Sequence, residues 1–359
     1  MSVEAIDSAL IGTVLAVQAN YYWVKLDVPV GETKTLLCTR RTRLKKIGQQ
    51  VMVGDRVQVE EPDWADGRAA IAQVSPRRTE LDRPPIANAD QILLVFALAE
   101  PTLEPIQLSR FLVKAESTEL AVGVCLSKRD LVSAEVQEGW RDRLRGWGYE
   151  SILISSRTEN GLEPLHDRLK HNTTVISGPS GVGKSSLINQ LVPSVDQRVS
   201  AVSGKLGRGR HTTRHVELFE LPGGSLLADT PGFNQPDLDC KPIDLAQLFP
   251  EARSRLEQRN CQFSDCLHRD EPNCVVRGDW DRYVHYLSFL EEAIDRQAAL
   301  DRQREAESTL KRKSNEAGQA QFEPKLEAKK YRRPSRRTEK QTLETLYQDL
   351  DTAKRDDED

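Results

Sequence analysis

Residues Gly178-Pro179-Ser180-Gly181-Val182-Gly183-Lys184-Ser185-Ser186 satisfy G-x-x-x-x-G-K-[ST], between an apolar strand pattern, Thr173 to Ser177, and a helical one, Leu187 to Leu191. That context suits a polyphosphate: glycines let successive backbone N–H groups curl around the phosphates, and the helix N-terminus adds partial positive charge. Lys184 is expected to reach the β- and γ-phosphates and Ser185 to ligate Mg²⁺. A second set, Cys261-x4-Cys266-x-His268-x5-Cys274, supplies three thiolates and one imidazole, the donors of a closed structural zinc site. No position there is left for a catalytic water, so one zinc per chain would hold a small domain together and not react.

The phosphate loop does not choose between ATP and GTP, and it also resembles the loop of guanylate kinases. Asp229-Thr230-Pro231-Gly232 follows the strand pattern Gly224 to Ala228, as D-x-x-G does in GTPases. Asp229 at a strand end would hold a Mg²⁺ water, and the N–H of Gly232 would sense the γ-phosphate. Ser127-Lys128-Arg129-Asp130 follows the apolar run Ala121 to Leu126 and resembles the guanine-reading N-K-x-D, with Ser127 where that motif has asparagine. The Asp130 carboxylate would accept from both N1–H and the 2-amino group of guanine; adenine offers neither donor, and its rejection follows from leaving the carboxylate unpaired. The Lys128 stem would lie across the base. Ile154-Ser155-Ser156, with Gly161-Leu162 behind it, resembles the S-A-x segment that offers a backbone N–H to guanine O6.

These segments need a scaffold. Five short strand patterns, Gly12 to Val17, Tyr21 to Leu26, Thr35 to Thr39, Arg56 to Glu60 and Arg68 to Val74, are separated by turn formers and suggest a small barrel of the oligonucleotide-binding type. Ser75 to Ala89, with Pro76, Pro84 and Pro85, reads as a linker. Apolar runs then alternate with helical patterns from Gln91 to Leu191, which predicts a parallel sheet covered by helices, finished by strands over Thr213 to Leu221 and Gly224 to Ala228. A smaller helical region carries the Cys/His cluster and ends in a long helix from about Asp279 into the Lys311 region. The fold class is thus multidomain: an OB-fold barrel over residues 1–80, a P-loop α/β domain over 81–240 and a zinc-binding helical domain over 241–300. The charged tail, 301–359, is expected to fray as helix or to be disordered, since it has too little apolar area to offset ordering entropy.

The motif order is base, base, phosphate loop, switch, whereas ordinary GTPases place the phosphate loop first. With an N-terminal barrel and a C-terminal Cys/His cluster, this circularly permuted order (G4-G5-G1-G2-G3) resembles the ribosome small subunit-dependent GTPase family, RsgA or YjeQ, over roughly Gly12 to Leu290. The resemblance implies GTP hydrolysis to GDP and phosphate with Mg²⁺, binding of ribosomal RNA, and a role in late maturation of the 30S subunit. It also implies a catalytic group in the segment Gly204 to His215, since Phe233 stands where many GTPases have a water-orienting glutamine. There His211 would position the attacking water and Thr212 or Thr213 would ligate Mg²⁺.

The 359 residues carry 51 Lys+Arg against 55 Asp+Glu, so a uniformly basic RNA coat is excluded and any polyanion site must come from local segregation of charge. Arg40-Arg41-Thr42-Arg43-Leu44-Lys45-Lys46 is such a place, with five cations in seven positions, near Tyr21-Tyr22-Trp23 on a barrel strand. Arg253, Arg255, Arg259, Arg269 and Arg277 would make a second RNA surface around the metal cluster. Alternation predicts Tyr22 pointing one way and Tyr21 and Trp23 the other. No apolar run of about 18 residues is present, which predicts no membrane partner; a cytoplasmic monomer is expected. Two rival readings stay open at this level: a guanylate-type nucleotide kinase, and an RNA-binding protein with a vestigial nucleotide site.

Overall fold

The computed structural model describes residues 10–82, 84–158, 160–192, 216–229, 236–307, 310–314 and 320–324. Strands β1 (Leu10–Gln18), β2 (Tyr21–Val30), β3 (Thr33–Arg40), β4 (Arg56–Asp63) and β5 (Arg68–Val74) form the expected barrel. β1 pairs with β2 and β4, β2 with β3, and β5 with both β3 and β4, so the order closes on itself. Alternation along β2 sends Tyr22, Val24 and Leu26 inward against Val14, Leu36, Val57 and Ile71. Tyr21 is left 51% exposed, and Trp23 is half-buried.

The basic segment differs from the five free cations its sequence suggests. It folds into a helical turn, α1 (Thr42–Lys46), anchored by buried Leu44. Arg41 is taken up by Glu60 at 2.9 Å and Glu61 at 2.6 Å, while Arg40 donates to the Gln49 carbonyl at 2.9 Å and lies 5.8 Å from the centre of the Tyr22 ring. Arg43, Lys45 and Lys46 stay exposed.

The proline-rich stretch 75–89 is packed rather than a free linker. β6 (Glu80–Asp82) and β7 (Pro85–Ala87) pair there as a short ladder, at whose end Pro85 forfeits little by lacking a donor. Leu81 and Ile86 enter the main apolar cluster. Arg77 grips fully buried Asp55 at 2.8 and 3.0 Å, and the Asn88 amide donates to the Gly54 carbonyl at 3.0 Å. Those partners are twenty or more positions away, which is why composition alone misses them.

Beyond β7 the α/β alternation is realised. The sheet runs β10 (Ser151–Leu153), β9 (Ala121–Ser127), β8 (Gln91–Ala97), β11 (Thr173–Ser177), β13 (Leu226–Asp229), β12 (Glu217–Glu220), parallel except for β12. Helices α2 (Pro105–Glu116), α3 (Ala134–Gly146), α4 (Leu162–Leu169) and α5 (Lys184–Leu191) accompany it. Central β8 is buried along its whole length, Ile92, Leu94 and Phe96 joining one apolar cluster and Leu93, Val95 and Ala97 the other. The strand expected from Thr213 starts, within the described residues, at Glu217. β12 also pairs with barrel strand β1, so barrel and α/β sheet are hydrogen-bonded together.

The C-terminal helical region packs Phe249, Trp280, Tyr286 and Phe289 against Val113 of α2. It contains a 3₁₀ segment (Pro242–Leu248), α6 (Pro250–Gln258) and the start of α7 (Tyr283–Glu307). Ion pairs fasten it to α2 and α3: Arg110 to Glu292, Lys114 to Asp239, Glu116 to Arg253, and Arg143 to Asp281. At the centre sits Arg282, fully buried, paired with Glu251 and stacked 4.9 Å from the Trp147 ring and 4.8 Å from Phe249. Removing one partner of a buried pair leaves an uncompensated charge, so Glu251→Ala should destabilise the protein by about 3–5 kcal/mol, read as a lowered urea midpoint.

Residues 295–359 form a unit of their own. Within it, α7 carries helix to Glu307, as expected for the start of the tail, while β14 (Leu310–Ser314) pairs antiparallel with β15 (Ala320–Pro324) where helix or disorder is expected; the rest of the tail lies outside the described residues.

Candidate nucleotide and zinc sites

The phosphate loop is shaped by its glycines. β11 ends at Ser177, and a Cβ on the next residue, Gly178, would lie 2.1 Å from the Val95 carbonyl oxygen. Gly181 and Gly183 take φ of 80° and 96°, conformations that side chains resist, and α5 begins at Lys184. Lys184 Nζ donates to the carbonyls of Gly178 at 2.7 Å and Pro179 at 2.6 Å. Burial lowers its ammonium pKa, and Asp229 at the end of neighbouring β13 acts in the opposite sense. Ser180, Ser185 and Ser186 are exposed around the loop, while Pro179 and Val182 are buried.

The base-side segment is stapled to this loop. The hydroxyl of buried Ser127 is 2.5 Å from the Val182 carbonyl oxygen, to which it donates, and 3.3 Å from that of Phe96. Serine thus reaches the phosphate loop from the position where the guanine motif carries asparagine. Lys128, in a left-handed conformation with φ of 56°, donates to the Gly181 carbonyl at 2.9 Å and also to the Glu100 carbonyl. The Arg129 N–H donates to Ile154 at 3.2 Å, fixing the two base segments to each other.

Asp130 is exposed, and a hydroxyl of the other base-side segment orients it. The hydroxyl of fully buried Ser155 donates to Asp130 Oδ1 at 2.6 Å. This bond, aided by Arg157 and Lys128, holds the Asp130 carboxyl below its usual range. The Ser155 N–H is already committed to the Asn160 carbonyl at 3.0 Å, which leaves Ser156 as the next N–H in the segment. Nothing in the S-S dipeptide itself signals that division of labour. Asp229 is positioned at the phosphate end, whereas Gly232, His211, Thr212 and Thr213 lie outside the described residues.

The second site is compact. The donor atoms of Cys261, Cys266, His268 and Cys274 lie within 4.8 Å of one another. His268 Nδ1 is 3.5, 3.4 and 3.3 Å from the three sulfurs, and Cys261 and Cys274 sulfurs are 3.9 Å apart. Tetrahedral zinc with Zn–S of about 2.3 Å and Zn–N of about 2.0 Å spans donor separations of roughly 3.5–3.8 Å, so the set fits zinc through Nδ1. Supporting contacts come from the following helix: Tyr283 donates to the His268 carbonyl at 2.9 Å and Tyr286 to that of Leu267 at 2.7 Å. Glu271 accepts from the N–H groups of Leu267 and Arg269 at 2.8 Å and Asp270 at 3.1 Å. Burial opposes its ionisation, but these backbone donors win and draw its carboxyl down to about 2. Cys38 and Cys125 are packing residues, their thiols pushed up to about 12 by burial. Of the arginines expected to present an RNA face here, Arg253 and Arg269 are held by acids and Arg255 bonds the Val276 carbonyl at 3.2 Å.

This geometry has close relatives. The chain is 62% identical over 360 residues to the small ribosomal subunit biogenesis GTPase RsgA of Trichormus variabilis, covering 95% of this chain and 97% of that one. The chain belongs to the RsgA family. The family model for the RsgA GTPase matches residues 74–239. The RsgA of Microcystis aeruginosa is 60% identical, over 97% of this chain and 99% of its own. Among solved structures, YloQ, a circularly permuted GTPase, aligns with a TM-score of 0.68 at 30% identity, covering 82% of this chain and 99% of that chain. YjeQ from Thermotoga maritima aligns with a TM-score of 0.66 at 29% identity, over 79% and 98%. The membership agrees with the resemblance carried by the motif order, the barrel and the Cys₃His cluster, and the likeness to a circularly permuted GTPase agrees with the permuted motif order. No helix among the described residues is long and apolar enough to cross a membrane.

Proposed function

We propose that the chain binds Mg·GTP across the Asp130 and Lys184 segments and hydrolyses it while engaged with the small ribosomal subunit, GDP formation timing its release. As an RsgA family member the chain is a GTPase of small-subunit biogenesis; the roles of its residues are our reading. The observation that carries it is the direct fastening of Ser127 and Lys128 to the phosphate loop, so that one ligand would be gripped at base and phosphates together. Asp130 would accept from the guanine edge, Ser155 aiming it, and the N–H of Ser156 would face O6. The Lys184 ammonium would leave the carbonyls of Gly178 and Pro179 for the β- and γ-phosphates. Mg²⁺ bound with the nucleotide, through Ser185 and near Asp229, supplies neutralisation of phosphate charge. Gly232 would report the γ-phosphate, and His211, Thr212 and Thr213 would complete the hydrolytic end.

The cations left exposed on α1, Arg43, Lys45 and Lys46, support ribosomal RNA as the barrel's ligand. We take the protein to act as a cytoplasmic monomer with one structural zinc. In full-length protein, Lys184→Ala should cut GTP turnover by about 10²–10³-fold or more, because a charge aimed at the transferring phosphoryl group is lost. Turnover is measured with and without purified small subunits, ATP serving as control. Undiminished turnover in this variant would leave the RNA-binding reading with a vestigial site as the better one.

A further inference from the structure

β1 of the barrel supplies residues to two cores at once. Its ladder with β2 shifts register between Val14 and Ala16, which leaves Leu15 as the unpaired extra residue of a bulge, while ordinary alternation sends Val14 and Leu15 to opposite faces. Val14 enters the barrel core; Leu15, 4% exposed, joins Val216, Leu218 and Ala228 in the core of the α/β domain. The next residue, Ala16, pairs with Glu217 of β12. Glu217 in turn pairs with Asp229, and Asp229 with Ile176, the residue before the end of the strand that feeds the phosphate loop. One register row, Ala16, Glu217, Asp229, Ile176, thus crosses four strands from barrel to γ-phosphate side. Lys25 of β2 closes a second link, its ammonium 2.5 Å from Glu220 at the far end of β12, both groups half-buried.

A barrel tethered only to carry RNA would need no such row, since a flexible connection would serve. We propose that Leu15, Ala16 and Lys25 are positioning residues for the γ-phosphate side of the nucleotide site. Through β12 they hold Asp229 in register, and engagement of the barrel by RNA is thereby read as a change in preference for GTP over GDP. Linkage makes the effect reciprocal: the nucleotide bound must change the barrel's affinity for its RNA by the same factor. The inference rests on the proposed function, in that the RNA is taken to be that of the small subunit.

The test uses the full chain and purified small subunits. Subunit affinity is measured with GDP and with a non-hydrolysable GTP analogue plus Mg²⁺. The wild-type chain should show a ratio of about tenfold or more between the two states. Leu15→Ala should bring that ratio to within about twofold, while the affinity for GDP in the absence of subunits is retained, because GDP has no γ-phosphate to sense the loosened row. Should Leu15→Ala not fold, Lys25→Glu takes its place, with recovery expected in Lys25→Glu/Glu220→Lys. Equal affinities in the wild-type chain would overturn the inference, as would an unchanged ratio in Leu15→Ala or failure of the double exchange to restore coupling. Acceleration of wild-type GTP turnover by subunits is scored separately; it upholds hydrolysis on the subunit whichever way the ratio falls, and its absence would count against that reading, whereas a lost ratio in Leu15→Ala alone bears only on the route through β12.

Discussion

Asp130→Asn should abolish the preference for GTP over ATP, a discrimination of about 10⁴-fold in sites built to hydrogen-bond their substrate. The reason lies in donor direction. The carboxylate offers only acceptors, and the Ser155 hydroxyl already occupies one side of Oδ1, leaving the remaining lone pairs for N1–H and the 2-amino group. An asparagine at 130 would bring its own NH₂ against the 2-amino group, two donors face to face. Xanthine has a carbonyl at that position, so the same variant should gain affinity for xanthosine triphosphate while losing it for GTP. Calorimetry with GTP, ATP and xanthosine triphosphate checks both directions. If the variant kept the wild-type margin between GTP and ATP, guanine would have to be read elsewhere.

The sequence carries such predictions where the chemistry is local. The phosphate loop and the Cys₃His spacing are runs whose residue types have few other uses, and both appear where the motifs place them. The alternation in β2 likewise tells which residues face the barrel core, and the uninterrupted apolar run of β8 tells that both of its faces are covered. What escaped was long-range pairing. Arg41 reads as a free cation until Glu60 and Glu61 come alongside it, and residues 75–89 read as a linker until Arg77 meets Asp55 and Asn88 meets Gly54. By resemblance the segment Ile154-Ser155-Ser156 offers an N–H to guanine O6, yet the Ser155 hydroxyl aims Asp130, a contact that spans 25 positions. Arg282, in a stretch with no motif, becomes the centre of a domain junction because Glu251, Trp147 and Phe249 converge on it.

That junction bears on how nucleotide state could reach the metal-binding lobe. The permuted order makes β13 the last strand of the α/β sheet in sequence, so the segment after Asp229 is followed in the chain by the lobe. Yet the lobe is pinned to α2 and α3, which flank the base-reading half of the sheet, by four ion pairs and the Arg282 stack. Rotation of the lobe as a rigid body would have to break these together. A signal carried through β12 to the barrel, by contrast, crosses one row of backbone pairs and the Lys25–Glu220 ion pair.

Zinc removal should have the largest effect on folding. Between Arg259 and Gly278 the chain forms no helix or strand, so its order depends on the four ligands, on the backbone N–H groups gathered by Glu271 and on the two tyrosine hydroxyls. Structural zinc contributes about 10–16 kcal/mol in small Cys/His domains, as much as the whole stability of a typical domain. Chelation, or Cys274→Ser, should therefore open this loop to protease, with cleavage confined between Arg259 and Gly278 at first. The aromatic cluster of Phe249, Tyr286 and Phe289 would then lose its cover, since Tyr286 is tied to the metal loop through the Leu267 carbonyl. Nucleotide binding should persist, because none of the residues fastening Ser127, Lys128 and Lys184 touches the lobe. Limited proteolysis and GDP affinity, measured on the same chelated sample, separate the two outcomes. Unaltered protease resistance after complete metal removal would mean that packing against α2 and α3 suffices to order the loop, and that the cysteines and histidine serve some other end.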